Sequence, residues 1–194
     1  MGAAFYAHGV IRTRFFDEFL TRAVAGKCRQ VVLLAAGLDT RAFRLTWPKP
    51  VRLYEIDLPD VLAFKHEVLT RSGASPRCER TVVPADLRAD WPARLEKAGF
   101  SADQPAAWLT EGLMLYLTAS QAASLLCAVS RLSAPVSRLS FEHAPMAAND
   151  LLVQARHRQG RRFRRCADLR RSRALPANAG RPRDAASAPP RTLR

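Results

Sequence analysis

Paired cysteines, long apolar runs and the pattern of a secretion signal are all missing from this 194-residue sequence. The four cysteines lie dozens of residues apart and form no C-x-x-C pair, so zinc and dithiol motifs have no support. We therefore expect reduced thiols and no metal site. The longest apolar stretches, such as residues 31–36, are far too short to cross a membrane. The first residues show no charged start followed by an apolar run, which favours a cytoplasmic protein.

Positive charge is abundant, but it is concentrated at one end of the chain, whose formal net charge is +14. Residues 1–154 hold 18 Lys and Arg against 15 acids, whereas residues 155–194 hold 13 Arg, no Lys and 2 acids. Arg, Ala, Pro and Gly make up most of this last segment, and no apolar period is visible in it. Such a segment cannot bury enough apolar surface to offset its ordering entropy. We predict one folded domain over residues 1–154 and an Arg-rich, disordered tail over residues 155–194.

Strand-like and helix-like patterns alternate along the folded part. Apolar residues at helical spacing predict an amphipathic helix over residues 13–25, and an apolar β-branched run predicts a buried strand over residues 30–36. Four more strands are predicted over 52–56, 81–83, 106–109 and 136–141, and three more helices over 61–70, 91–98 and 119–132. This alternation is typical of an α/β protein with a doubly wound, Rossmann-like parallel sheet.

Small residues follow the first predicted strand, in the turn that contains Ala35 and Gly37. Ligands of doubly wound sheets bind beyond the carboxyl ends of the strands, and small residues there allow the backbone to approach a ligand closely. A structural interpretation also fits, because a tight connection into a helix could use Asp39 or Thr40 as its N-cap.

An acid, Asp57, ends the second predicted strand. It follows the glycine turn at the spacing that is typical of dinucleotide sites, which place an acid about 20 residues beyond the turn. A carboxylate there can accept hydrogen bonds from both hydroxyls of a ribose, so Gly37 and Asp57 together favour a nucleotide site. Asp57 could instead cap the helix that begins near Pro59.

The third and fourth predicted strands are also followed by acids. Asp86 could accept a hydrogen bond from an adenine amino group, with the neighbouring Leu87 covering the ring, or it could be a surface loop residue. Glu111 opens an otherwise apolar segment and needs partners if it is buried, which favours a functional role over a structural salt bridge.

Five short motifs, in this order and spacing, resemble the leucine carboxyl methyltransferase family, and above all its bacterial branch of S-adenosyl-L-methionine-dependent methyltransferases. The motifs are RTRFFD (12–17), LAAGLDTR (34–41), YEID (54–57), DLR (86–88) and LTEGLMLYL (109–117). The resemblance covers roughly residues 9–145. It implies a Rossmann-like methyltransferase fold and S-adenosyl-L-methionine as the cofactor.

The resemblance also implies a cofactor-binding role for seven residues. Arg12 would pair with the carboxylate of the methionine moiety, the turn with Ala35 and Gly37 would contact that moiety by backbone, Asp57 would bind the ribose, Asp86 with Leu87 the adenine, and Glu111 would lie near the amino group. The family often has glycine where this chain has Ala35. Alanine is tolerated at that position only if its backbone keeps a negative φ, which is therefore what we expect.

Family members are longer at both ends than the matching segment. We therefore expect a sheet that lacks its last two strands and an N-terminal cover that is reduced to residues 1–11, before Arg12. The composition of the tail is that of a GC-rich gene translated out of frame, and our hypothesis is that the sequence from about residue 156 is frameshifted.

Three functions are compatible with these features. The first is O-methylation of a carboxylate or hydroxyl on a small-molecule acceptor, and the second is a cofactor-binding remnant without activity. The third is a nucleic-acid binder that uses the Arg-rich tail, but we rank it last because Phe163 is the only aromatic residue of the tail that could stack on bases. We identify no general base and no catalytic residue; a carboxylate acceptor would need no base. Neither the acceptor nor the oligomeric state follows from the sequence.

Overall fold

The computed structural model of the chain describes residues 2–142, with side chains from Tyr6 onward. Its elements are α1 (Gly2–Ala25), β1 (Gln30–Leu34), α2 (Arg41–Arg44), β2 (Arg52–Asp57), α3 (Pro59–Arg71), β3 (Glu79–Pro84), α4 (Trp91–Lys97), β4 (Ala106–Thr110), a 3-10 turn (Met114–Tyr116), α5 (Ala119–Arg131) and β5 (Arg138–Phe141). The domain end predicted at residue 154 and the predicted tail lie outside the described residues. No helix within residues 2–142 has the length and apolar character needed to span a membrane.

The five strands form one parallel sheet in the order β3-β2-β1-β4-β5. Leu34, the last residue of β1, pairs with Ile56 of β2 on one side and with Thr110 of β4 on the other. The residues that follow β1, β2 and β4 therefore meet at the same edge of the sheet. Along the chain, β2 and β3 are added on one side of β1, and β4 and β5 are then added on the other side. The crevice between β1 and β4 is therefore the topological switch point of this sheet.

Each face of the sheet carries its own apolar core. β1 buries all five of its residues, and alternate side chains point to opposite faces. On one face the strands pack against α4 and α5, through Val32, Leu34, Tyr54, Ile56, Trp108, Trp91, Leu95, Leu125 and Val129. On the other face they pack against α1 and α2, through Val31, Leu33, Leu53, Leu109, Phe16, Leu20, Val24 and Ala42. The predicted doubly wound α/β sheet is confirmed.

Several predicted boundaries were wrong, and each has a local cause. The first helix begins at Gly2 instead of residue 13. The sequence did not predict its first half because Tyr6, Val10 and Ile11 are exposed there, so this half has no buried apolar face. The last strand begins at Arg138 instead of residue 136, because Val136 has a positive φ of 64° that no strand accommodates. Neither α2 nor the 3-10 turn was predicted, since each is only one turn long.

Candidate functional site

The chain turns sharply where β1 ends, and two small residues of this turn have left-handed backbone. Ala35 has φ 57° and Gly37 has φ 48°. The expectation that Ala35 keeps a negative φ was therefore wrong, and the same conformation explains why β1 ends at Leu34 rather than at Ala36. A left-handed alanine costs about 1–2 kcal/mol, which the surrounding contacts must offset.

The carboxylate of Asp57 lies against this turn. Its Oδ2 accepts a hydrogen bond of 2.6 Å from the N–H of Gly37, and its Oδ1 accepts one of 2.7 Å from the N–H of Leu58. The N-cap of α3 is Leu58, so the alternative interpretation of Asp57 as the helix cap was wrong. The structure thus brings together the two positions that their spacing in the sequence had singled out.

The connection into α2 uses both of the suspected capping residues, but in different ways. Thr40 occupies the N-cap position, and its side chain makes no capping hydrogen bond. Asp39 instead accepts a hydrogen bond of 2.6 Å from the N–H of Arg41 and forms an ion pair with the guanidinium of the same residue. Burial raises the pKa of Asp39, and the nearby positive charge of Arg41 only partly opposes this shift.

Glu111, the first residue after β4, lies between two arginines. Its Oε1 is 2.8 Å from Nε of Arg12, and its Oε2 is 2.9 Å from Nη2 of Arg41. Arg12 also donates from Nη1 to the carboxylate of Glu142, which follows β5, at 3.2 Å. Arg12 and Glu111, which were predicted to serve the same end of the cofactor, are therefore in direct contact. Glu111 is partly exposed, and its side chain forms the salt bridges that the structural interpretation of this residue expected.

Arg41 is a site residue that no pattern in the sequence predicted, although it lies within the motif at residues 34–41. It is only 2% exposed, and it also donates from Nε to Asp17 of α1 at 2.7 Å. Burial alone would lower the pKa of Arg41, but the neighbouring carboxylates, Asp39 foremost, raise it above its ordinary value. Asp17 was missed in the same way, inside the motif at 12–17. Glu142 was also missed, although it directly follows the strand predicted over residues 136–141, as Asp57 and Glu111 follow theirs.

Asp86 and Leu87 lie at the next position along the same edge, after β3. The N–H of Ala85 donates to the carbonyl oxygen of Asp57 at 2.9 Å, which ties this loop to the end of β2. The Asp86 carboxylate is partly exposed and holds the guanidinium of Arg88 at 2.6 Å, and these hydrogen bonds lower the pKa of Asp86 to about 2. Leu87 is half-buried and packs against the core under α4 and α5. No described contact joins Asp86 or Leu87 to the cluster around Glu111.

Known proteins are similar to this chain in sequence, and a solved structure is similar to it in fold. Residues 2–130 match the family described as leucine carboxyl methyltransferase. The chain belongs to this family. A protein of Parafrankia sp. is 52% identical over 151 residues, which are 78% of this chain and 49% of that protein. A protein of Mycobacterium avium is 50% identical over 135 residues, 70% of this chain and 44% of that protein.

Both relatives carry the name "Putative S-adenosyl-L-methionine-dependent methyltransferase". The chain spans about half the length of these curated relatives. Among solved structures, a "putative methyltransferase" from Thermobifida fusca superposes with a TM-score of 0.51 at 22% identity, over 71% of this chain and 56% of that one. That likeness supports the fold alone.

The charges of the cluster around Glu111 and Arg41 do not cancel. Its guanidinium groups belong to Arg12, Arg41 and Arg44, and its carboxylates to Asp17, Asp39, Glu111 and Glu142. Three positive and four negative groups leave a formal charge of −1. The cluster therefore favours a ligand that brings positive charge. Within residues 2–142, no group of three or more Asp, Glu, His or Cys side chains could hold a metal ion.

Proposed function

We propose that this chain forms the S-adenosyl-L-methionine-binding part of a methyltransferase that methylates a carboxylate or hydroxyl oxygen of a small molecule. The observation that carries the proposal is the 2.6 Å contact between Asp57 and the Gly37 N–H, beside the β1–β4 switch point. Family membership supports the same activity. The proposal concerns the activity of a whole methyltransferase. The Parafrankia relative is about twice as long as the segment that it shares with this chain.

The ribose position fits the cofactor. A carboxylate offers about four acceptor sites, and the two backbone donors to Asp57 use two of them. Two acceptor sites therefore remain for the two hydroxyls of a ribose. A Cβ added at Gly37 would meet only the carbonyl oxygen of Ala35, at 3.9 Å, so there is open space beside the turn for a ligand.

The methionine position fits as well. Arg12 is partly exposed, and its ion pairs with Glu111 and Glu142 use Nε and Nη1, which leaves the Nη2 donors for the carboxylate of the methionine moiety. S-adenosyl-L-methionine brings a sulfonium, an ammonium and a carboxylate, a net charge of +1. That charge complements the formal −1 of the cluster.

The adenine would lie against the loop after β3. Leu87 offers a half-buried apolar side chain to the ring, and Asp86 offers a carboxylate to the amino group. Since Arg88 already holds Asp86, adenine binding through this residue requires a shared carboxylate or a shift of the exposed Arg88 side chain.

The cofactor, when bound, supplies an activated methyl group on its sulfur. The residues described here would hold it in place and orient it, which is the main contribution a protein makes to such a transfer. The family name points to a carboxyl acceptor. A carboxylate is ionised at neutral pH, so its methylation needs no general base.

Isothermal titration calorimetry with S-adenosyl-L-methionine tests the proposal. We expect micromolar binding by the native chain, and a loss of at least about tenfold in Asp57→Ala, because the charge-assisted hydrogen bonds to the ribose disappear. Asp103→Ala is the matched control, since Asp103 is exposed and lies in the turn before β4, at the opposite edge of the sheet. Equal losses in the two variants, or no binding by the native chain, would refute the proposal.

Methyl transfer to carboxylate and phenol acceptors then separates an enzyme from a remnant that only binds the cofactor. Transfer to a carboxylate acceptor alone would identify the acceptor class. Binding without transfer to any acceptor would leave the remnant as the function of this chain.

A further inference from the structure

Arg41 is more enclosed than any of the charged residues that it contacts, although the proposed function gives it no ligand to bind. We propose that Arg41 is a positioning residue, which fixes the carboxylate of Glu111 for the ammonium group at the methionine end of the cofactor. This inference rests on the proposed function and adds to it the residue that determines recognition of the amino-acid moiety.

The geometry of the guanidinium carries the inference. Its Nε donates to Asp17 of α1, its Nη1 to Asp39 in the turn after β1, and its Nη2 lies 2.9 Å from Glu111 after β4. The guanidinium is planar and rigid, so two anchored nitrogens determine where the third one lies. Asp17 and Asp39 therefore set the position of Nη2, and Nη2 in turn sets the position of the Glu111 carboxylate.

The two arginines that contact Glu111 have different surroundings. Arg12 is partly exposed, whereas Arg41 is buried, with its guanidinium carbon 6.0 Å from the centre of the Phe16 ring. Arg12 can therefore reach a ligand, and Arg41 supports Glu111 from the protein side. Each oxygen of Glu111 has a cationic neighbour and retains acceptor capacity for an ammonium group.

The Arg41→Lys variant separates the effect of positioning Glu111 from the effect of positive charge. Arg41→Lys keeps the positive charge, but a single ammonium cannot contact three carboxylates with the geometry of the guanidinium fork. The readout is the affinity for two ligands that share the adenosine and the thioether and differ in the amino-acid moiety. These are S-adenosylhomocysteine, which has that moiety, and 5′-methylthioadenosine, which lacks it.

We expect the native chain to bind S-adenosylhomocysteine about 10- to 100-fold more tightly than 5′-methylthioadenosine, the range expected for hydrogen bonds to charged groups. In Arg41→Lys this preference should fall severalfold without vanishing, because Arg12 still binds the carboxylate of the moiety, and the affinity for 5′-methylthioadenosine should be unchanged. In a Glu111→Gln background, Arg41→Lys should cause no further change. Arg71→Lys, in the exposed ion pair of α3, is the control and should keep the native preference.

Other outcomes overturn the inference in distinguishable ways. If Arg41→Lys lowers the affinity for both ligands by the same factor, Arg41 supports the fold and not the ammonium site. If the native chain binds both ligands equally, Glu111 does not serve the amino group, although adenosine binding stands. If it binds neither, the proposed function itself fails. Should Arg41→Lys not fold, Asp17→Asn removes one anchor at a partly exposed position and should still reduce the preference severalfold; an unchanged preference would refute positioning.

Discussion

Asp57 is the last residue of β2, and its carboxylate accepts a 2.6 Å hydrogen bond from the backbone N–H of Gly37, which lies in the turn after β1. The contact joins the end of β2 to the turn after β1, in which Ala35 and Gly37 both have positive φ. A strained turn persists only when its surroundings hold it in place. The Asp57 carboxylate is one such constraint, so the proposed ribose ligand also maintains the shape of the turn.

The strain at Ala35 leads to the first prediction. Ala35→Gly should stabilise the fold by about 0.5–1 kcal/mol, because relief of a left-handed alanine, worth about 1–2 kcal/mol, exceeds the added entropy of glycine in the unfolded chain. Urea unfolding monitored by circular dichroism measures the difference. Ala89→Gly is the control: Ala89 is exposed and its φ is not positive, so glycine should cost about 0.4–1 kcal/mol there. A loss of stability in Ala35→Gly would mean that its side-chain packing outweighs the strain.

The order of strands and helices could be predicted because each central strand or helix has a characteristic spacing of apolar residues in the sequence. Residues 30–34 form one apolar run because β1 is buried on both faces, and residues 119–131 show the helical period because α5 presents one face to the core. The edge strand β3 was recognised only over residues 81–83, since its side chains are mostly half-buried or exposed. The capping box of α5, formed by Thr118 and Gln121, was present in the sequence as T-x-x-Q and went unused.

Without the family resemblance, which pointed to Arg12 in α1, the candidate site was predicted only at the ends of strands. Asp57 and Glu111 were identified because the carboxyl ends of parallel strands converge. Arg41 was not, because its burial depends on Asp17 and Glu111, which lie far from it in the sequence and on opposite sides of it. No spacing rule connects such positions. A buried arginine is recognisable only after the fold has brought its carboxylates together.

A second buried charge cluster leads to the next prediction. Glu55 of β2 is fully buried and lies 2.7 Å from both Lys65 of α3 and Arg80 of β3. Glu55→Gln should destabilise the fold by about 3–5 kcal/mol, because it leaves Lys65 buried without a compensating charge. Glu67→Gln is the matched control in α3: it breaks an exposed ion pair with Arg71 and should cost no more than about 0.5 kcal/mol. Chemical denaturation at pH 7 measures both, and similar small losses would contradict the interpretation.

The N-terminus of α5 provides a third prediction. The Thr118 hydroxyl accepts a hydrogen bond of 3.2 Å from the N–H of Gln121, whose side chain accepts one of 2.9 Å from the N–H of Thr118. Thr118→Ala should reduce the unfolding free energy by about 1 kcal/mol. Thr118→Ser should reduce it much less, because serine is also a good N-cap. Equal stability of the alanine and serine variants would show that the capping box contributes nothing.

Asp17 makes the acid sensitivity of the fold testable. Burial alone would raise its pKa, but hydrogen bonds from Arg44 and Arg41 outweigh that effect and lower it below the ordinary value of 3.8. A carboxyl whose pKa is lowered on folding contributes stability that is complete above its unfolded pKa and is lost as the pH falls through the lower folded value.

Asp17→Asn should therefore cost about 1–3 kcal/mol at pH 6 and progressively less as the pH falls from 4 towards 2, so that its stability profile is flatter than that of the native chain. Urea titrations at a series of pH values measure the two curves. Asp103→Asn, at an exposed position, should run parallel to the native curve. A loss in Asp17→Asn that stays constant across this range would mean that the variant perturbs packing, because only the loss of a charged interaction disappears when the native carboxyl is itself protonated.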